Sequence, residues 1–116
     1  MRRWLKRLKS GFAGLLTWIR IAWPFVFLWA AVLLGAVLAG CSIAQVWIIL
    51  TLGTCLMIAE MLNTAIERLC DVVEPHYNDT IGAIKDICAG AVLVSGLALI
   101  VVGAWIILDL GRRLLE

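Results

Sequence analysis

Long stretches without charge dominate the pattern of hydrophobic and polar positions along this chain. No charged residue occurs at positions 21–59, and a second uncharged stretch covers positions 87–108. Because one membrane-spanning helix needs about 20 apolar residues, the first stretch is long enough for two spans and the second for one. The small residues at 40–42 supply the natural turn inside the first stretch. The pattern predicts an all-α integral membrane protein with spans at 21–40, 43–73 and 80–111.

A basic amphipathic helix is predicted ahead of the first span, at residues 1–20. At 100° per residue, its large apolar side chains fall on one arc and its basic side chains on the other side. The segment contains no acidic residue, which favours a helix lying on an anionic membrane surface. The apolar arc consists of Trp4, Leu5, Leu8, Phe12, Leu15, Leu16 and Ile19, and the polar side of Arg2, Arg3, Lys6, Arg7, Lys9 and Ser10.

Composition strengthens the membrane interpretation and limits what the chain can enclose. Of the 116 residues, 64% are hydrophobic, and the mean hydropathy is +1.04, so too few polar residues remain to cover a soluble domain. We expect one membrane domain over residues 1–116. Three spans enclose little volume, so a polar site would be completed by neighbouring copies. The four cysteines lack metal-ligand spacing and are interpreted as small apolar residues.

The basic residues predict an orientation. Six of them precede the first span and two follow the third, which places the N-terminus and the segment 72–86 in the cytoplasm. An alternative reading takes residues 38–41, Leu-Ala-Gly-Cys, as a bacterial lipoprotein signal with a lipidated Cys41. The long basic region and the apolar span that follows Cys41 count against that alternative.

The informative polar residues lie at the end of the second span. Glu60, Asn63, Thr64, Glu67 and Asp71 share an arc of about 100° on a helical wheel. Ionisable groups at membrane depth are costly, and a functional role is the default interpretation. A solvated helix end would explain Asp71 better than Glu60, which directly follows a long apolar run. We therefore interpret this polar stripe as a functional site.

The stripe has the chemistry of a phosphate-transfer site. Hard oxygen ligands suit Mg²⁺, which is commonly held by one or two carboxylates together with substrate phosphates. A carboxylate near the metal could accept the proton of an alcohol. Lys85 could contact a phosphate and Asp86 an adenine amine or ribose hydroxyl, although a solvated Lys85–Asp86 pair at a helix end remains the alternative.

Other functional classes lack their signatures. The sequence has no Walker A loop, GxGxxG, kinase catalytic loop, HExxH or GxSxG motif. The basic residues belong to the predicted surface helix, so we expect no nucleic-acid partner. If ATP binds, it binds outside the common soluble folds.

Residues 60–71 (Glu-Met-Leu-Asn-Thr-Ala-Ile-Glu-Arg-Leu-Cys-Asp) and 85–93 (Lys-Asp, then Ala-Gly-Ala-Val-Leu) resemble the prokaryotic diacylglycerol kinase family, which includes the undecaprenol kinases. The resemblance implies a homotrimer in the bacterial cytoplasmic (inner) membrane, each chain having a surface helix and three spans. It implies active sites between protomers at the cytoplasmic boundary, with ATP, Mg²⁺ and a membrane lipid as ligands.

The same resemblance assigns roles by position. Glu60 is similar to the catalytic base that deprotonates the lipid hydroxyl, and Glu67 to a metal ligand. Asn63 lies beside the phosphates. Lys85 and Asp86 correspond to nucleotide contacts, and Asp71 to the rim of the site.

One departure from the family leaves alternatives open. The family usually has an acidic residue before its first span, whereas residues 17–25 here contain none. The leading hypothesis is phosphorylation of diacylglycerol to phosphatidic acid, with undecaprenol as the alternative acceptor. A catalytically weakened relative that binds nucleotide or lipid is a second hypothesis, and a small cation pore is a third.

Overall fold

A computed structural model describes residues 2–116, and everything below refers to that range. Its regular structure is helical, as predicted. The helices are α1 (Arg2–Ile21), α2 (Trp23–Leu38), α3 (Ile43–Val73) and α4 (Asp79–Leu115). The chain divides into two compact units, residues 1–34 and 35–116. The expectation of one membrane domain remains a prediction.

In the first unit, the predicted amphipathic segment forms α1 and is followed by a sharp bend. The α1 and α2 axes differ by 91° across Ala22. Pro24 lies in the first turn of α2, where a missing N–H costs no helical hydrogen bond. Trp18 is only 5% exposed and packs edge-on against Phe25, with ring centroids 6.3 Å apart. Most other large apolar side chains of α1, including Trp4 and Phe12, are exposed.

A tight turn separates α2 from α3. Gly40 has a φ of +77°, a left-handed conformation that glycine adopts without a steric penalty. The amide of Cys41 donates to the Ala36 carbonyl at 3.1 Å. Ser42 then caps α3: its hydroxyl accepts from the Gln45 amide, and the Gln45 side chain accepts from the Ser42 amide, forming a capping box.

The second unit consists chiefly of α3 packed against α4. Ile49, Gly53 and Cys70 are buried on α3, and Ile106 is buried on α4. A Cβ built at Gly96 would lie 4.0 Å from the Leu56 side chain, so the two helices approach closely there. Most other large apolar side chains remain exposed, as expected for a surface in contact with lipid or with other membrane helices.

Two of these helices, α3 and α4, are long and apolar enough to cross a membrane. Only 16 residues form α2, which is about 24 Å of helix for a hydrocarbon core of about 30 Å. The bent α1–α2 pair counts as a third span if it is taken as one unit. The structure thus has two to three candidate spans, and the homotrimer remains a prediction.

Candidate functional site

The polar stripe occupies the last part of α3, as its spacing predicts. The side chains of Glu60, Asn63 and Glu67 are half-buried, whereas Asp71 is exposed. The Asn63 amide donates to Glu67 Oε1 at 3.0 Å. The Thr64 hydroxyl donates to the Glu60 carbonyl at 2.8 Å, so it serves its own helix backbone. The Asn63 bond orients the Glu67 carboxylate, as outer hydrogen bonds do for metal-ligating carboxylates.

The stripe lies on the side of α3 that faces α4. The buried Gly53 precedes Glu60 by seven residues, which places the two about 20° apart on the wheel. Buried Cys70 follows Glu67 by three residues and lies one turn further along the same side. Because α4 is the helix that packs along α3 in the described chain, Glu60 and Glu67 flank the line of contact between the two helices.

A short loop carries the chain from α3 to α4. The α3 helix ends at Val73 and is capped by Glu74, whose amide donates to the Cys70 carbonyl at 2.9 Å, and Pro75 follows. Asn78 caps the start of α4. Its side-chain oxygen accepts from the amides of Thr80 and Ile81 at 3.0 and 3.2 Å, a standard arrangement for an N-terminal cap.

Asp71 and Lys85 meet across the two helices. Lys85 Nζ lies 2.5 Å from Asp71 Oδ1. The sequence had offered Asp86 as the neighbour of Lys85 in a solvated pair, but the structure pairs the lysine with Asp71, while Asp86 is exposed. The two helices therefore place a cation and a carboxylate beside the loop.

Asp71 and Lys85 border a polar cleft of about 310 Å³ that is also lined by His76 and Tyr77. The His76 backbone amide donates to Glu74 Oε1 at 3.1 Å, and its ring Nδ1 lies 3.3 Å from the same oxygen. The carboxylate of Asp79 raises the pKa of the Tyr77 phenol, because it accepts the phenolic proton as a hydrogen bond. The cleft thus combines donors, acceptors and an aromatic ring.

The donor set near Glu67 fits a magnesium ion shared with a nucleotide. Among residues 2–116, no three histidine, cysteine or acidic side chains converge on one point. Magnesium does not need such a cage, because one or two carboxylates and the phosphates of a substrate hold it in many proteins. Glu67, with one oxygen fixed by Asn63, has the hard oxygen chemistry that this ion prefers.

A second polar cluster at the other end of the α3–α4 pair was missed by sequence reasoning. Gln45 is only 3% exposed, and its amide donates to Asp109 Oδ2 at 2.9 Å. Arg113 binds the same carboxylate oxygen at 2.6 Å. The available signal was a lone glutamine near the start of one span and a lone aspartate at the end of the next.

Comparison with known proteins bears on the family of the chain. The profile of the family described as prokaryotic diacylglycerol kinase matches residues 12–107. A curated protein named diacylglycerol kinase, from Synechocystis sp., is 42% identical over 62 residues, which is 52% of this chain and 35% of that protein. The chain therefore matches about a third of the length of this relative. No solved structure matches significantly. The profile covers most of the chain, which belongs to the prokaryotic diacylglycerol kinase family.

Proposed function

We propose that this protein is a lipid kinase that transfers the terminal phosphate of ATP to the hydroxyl of a membrane lipid, with diacylglycerol as the acceptor and phosphatidic acid as the product. One observation carries the proposal within this family. The half-buried Glu60–Asn63–Glu67 side of α3 leads directly into the Asp71–Lys85 pair and the polar cleft. The name of the Synechocystis relative supports diacylglycerol as the acceptor.

In the proposed reaction, Glu60 accepts the proton of the lipid hydroxyl. The hydroxyl oxygen forms a bond to the terminal phosphorus, the bond from that phosphorus to its bridging oxygen breaks, and ADP leaves. The main contributions of the protein are positioning and electrostatic stabilisation. When Mg²⁺ is bound, it neutralises charge on the phosphates, and Glu67 is the residue that would hold it.

The remaining site residues bind the nucleotide in this proposal. Lys85 supplies positive charge to a phosphate, and Asp86, which is exposed, accepts hydrogen bonds from the adenine amine or the ribose. Asn63 lies beside the phosphates, and Asp71 lies at the rim, where it holds Lys85 before the nucleotide binds.

The proposal includes a homotrimer in the bacterial cytoplasmic membrane, with the N-terminus and the α3–α4 loop on the cytoplasmic side, where ATP is found. The distribution of basic residues supports this orientation, and the small volume enclosed by so few helices supports sites completed by neighbouring copies.

Two alternatives have specific support. Undecaprenol also presents one hydroxyl at the interface, so it is the alternative acceptor. The absence of an acid at residues 17–25 supports a catalytically weakened relative that binds nucleotide or lipid, because one carboxylate that usually shares the metal is missing.

The test follows transfer of the terminal phosphate of ATP in mixed micelles with Mg²⁺, offering diacylglycerol and undecaprenol separately. We expect transfer to diacylglycerol that Glu67→Gln abolishes, while the distant Glu116→Gln leaves it unchanged. Transfer to undecaprenol alone would show that undecaprenol, and not diacylglycerol, is the acceptor. ATP binding without transfer to either lipid would overturn the proposed kinase activity. It would favour the alternative that the protein is a catalytically weakened relative.

A further inference from the structure

The polar cleft beside the α3–α4 loop has a negative net charge while its histidine is neutral. The charged side chains in its lining are Asp71, Glu74 and Lys85, and the lining also includes His76. Asp71 and Lys85 form an ion pair, so their charges cancel. The Glu74 carboxylate is therefore left as the uncompensated charge of this cleft, an unfavourable neighbour for a phosphate.

Glu74 and His76 form a second pair within the cleft. Glu74 Oε1 accepts a hydrogen bond from the His76 backbone amide at 3.1 Å, and the His76 ring Nδ1 lies 3.3 Å from the same oxygen. A carboxylate can only accept, so Nδ1 carries a hydrogen in this contact. The ring is 88% exposed, and Nε2 is the atom that gains or loses a proton at its solvent side.

The other titratable groups around this pair keep one charge state near neutral pH. Asp79, at the start of α4, accepts the phenolic hydrogen of Tyr77 and so raises the pKa of that phenol further above neutral. The carboxylate of Asp71 and the ammonium of Lys85 stay charged in this range, since their side-chain types titrate well outside it. Histidine is the side-chain type that changes charge between about pH 5 and 8, so His76 alone alters the charge of the cleft there.

We propose that the Glu74–His76 pair makes nucleotide binding in the cleft dependent on pH, an inference that rests on the proposed function. While His76 is neutral, the Glu74 carboxylate repels the phosphates of the nucleotide. When His76 takes up a proton, its imidazolium cancels the Glu74 charge, and the cleft loses its net negative charge. The protein therefore binds the nucleotide more tightly below the titration range of histidine than above it.

The size of this effect is limited by the exposure of the pair. Water and salt screen charges at an exposed rim, so we expect about a three-fold difference in nucleotide affinity between the two protonation states. Coupling between two binding events is reciprocal, so a bound nucleotide must favour the protonated form of His76 by the same factor. A three-fold factor corresponds to a shift of about half a pH unit in the titration of the histidine.

Because the chain contains one histidine, nuclear magnetic resonance can follow the protonation of His76 directly. The full chain, carrying isotope-labelled histidine and no histidine tag, is titrated in detergent micelles with and without Mg²⁺ and the non-hydrolysable ATP analogue AMP-PCP. We expect the bound analogue to move the midpoint of the ring titration upward by about half a pH unit. An unchanged or lowered midpoint with the analogue bound would overturn the inference.

Two substitutions fix the charge at position 76. His76→Gln has no charge and His76→Lys has a permanent positive charge, and both are at an exposed side chain, so neither should disturb folding. Between about pH 8 and pH 5.5, we expect the affinity of the wild type for AMP-PCP to rise about three-fold more than that of His76→Gln. We expect His76→Lys to bind about three-fold more tightly than His76→Gln at both pH values. The same pH dependence in the wild type and His76→Gln would contradict the role of His76.

Glu74→Gln tests the other member of the pair. It removes the uncompensated carboxylate, so we expect AMP-PCP to bind about three-fold more tightly than to the wild type at about pH 8, where histidine is neutral. Glu116→Gln removes the same charge at the C-terminal end of the chain and should leave the affinity unchanged. Equal effects of the two substitutions would assign the change to the net charge of the protein and overturn the inference.

The outcomes separate this inference from the kinase proposal. A raised His76 midpoint without phosphate transfer to any lipid would support pH-dependent nucleotide binding and overturn the kinase. Phosphate transfer with an unmoved midpoint would leave the kinase standing and overturn the inference. A folded protein that does not bind AMP-PCP would overturn both.

Discussion

At the scale of single residues, the Glu60 and Glu67 carboxylates of α3 have different surroundings. Glu67 is oriented by the amide of Asn63, as suits a ligand that must keep its direction. The Glu60 carboxylate forms no hydrogen bond with another residue of 2–116; the Thr64 hydroxyl donates to the Glu60 backbone carbonyl. A carboxylate that must take up a proton benefits from this freedom, which supports the assignment of Glu60 as base and Glu67 as metal ligand.

Glu60→Gln tests the assignment of the base. Because general base catalysis contributes roughly 10²–10⁴ in rate, we expect kcat to fall by about that factor while the KM for ATP stays within about three-fold of wild type. Steady-state phosphate transfer would measure both. Retention of more than a tenth of the wild-type kcat would contradict the role of Glu60.

Substitutions of Asp71 and of Lys85 are expected to change the KM for ATP by different amounts, although the two residues form one ion pair. The pair is substantially exposed, with 65% of the Asp71 side chain and 36% of the Lys85 side chain accessible, so the ion pair by itself contributes little to stability. We expect Lys85→Met to raise the KM for ATP at least ten-fold and Asp71→Asn to change it less than about five-fold. Equal effects of the two substitutions would show that Asp71 touches the nucleotide directly.

At the scale of elements, α3 and α4 are joined by polar contacts at both ends. The exposed Asp71–Lys85 pair joins them beside the loop, and the buried Gln45 amide joins them to Asp109 at the opposite end. The second contact should matter more for stability, because a buried polar group that loses its partner is costly.

Gln45→Leu tests this contact. It removes two hydrogen bonds, the one that Gln45 donates to Asp109 and the capping bond that it accepts from the Ser42 amide. We therefore expect the free energy of unfolding to fall by about 2–3 kcal/mol, measured by denaturant titration in mixed micelles. Thr51→Val is the matched control, since the exposed Thr51 hydroxyl bonds only its own helix. A loss no larger than that of the control would rule out the contact as a stabilising link.

At the scale of the whole molecule, the predicted topology places the two ends of α3 on opposite sides of the membrane. Native Cys41 lies just before α3, and His76 lies just after it. In spheroplasts, a membrane-impermeant maleimide should label Cys41 at once and His76→Cys only after permeabilisation, because the positive-inside tendency keeps the loop cytoplasmic. The reverse pattern would overturn the orientation and with it the access of ATP to the site.

Much of this protein follows from the sequence alone. The absence of charge at 21–59 and 87–108 determines the apolar helices, and the turn residues at 40–42 determine where α2 ends and α3 begins, since local backbone preferences decide both. The shared side of Glu60, Asn63 and Glu67 was also predictable, because residues three, four and seven apart in one helix lie on one side whatever surrounds it. The resemblance resting on these residues is confirmed by the family match.

Only the tertiary structure decided which groups meet between helices. The α4 helix is apolar all round, with exposed Leu93, Val94 and Ile100 beside buried Ile106, so its pattern does not specify which side contacts α3. Packing sets the rotation and the axial register of α4 against α3. As a result, Lys85 pairs with Asp71 instead of Asp86, and Gln45 pairs with Asp109. The same packing buries the Asn63 oxygen, a feature that depends on distances between segments far apart in the chain.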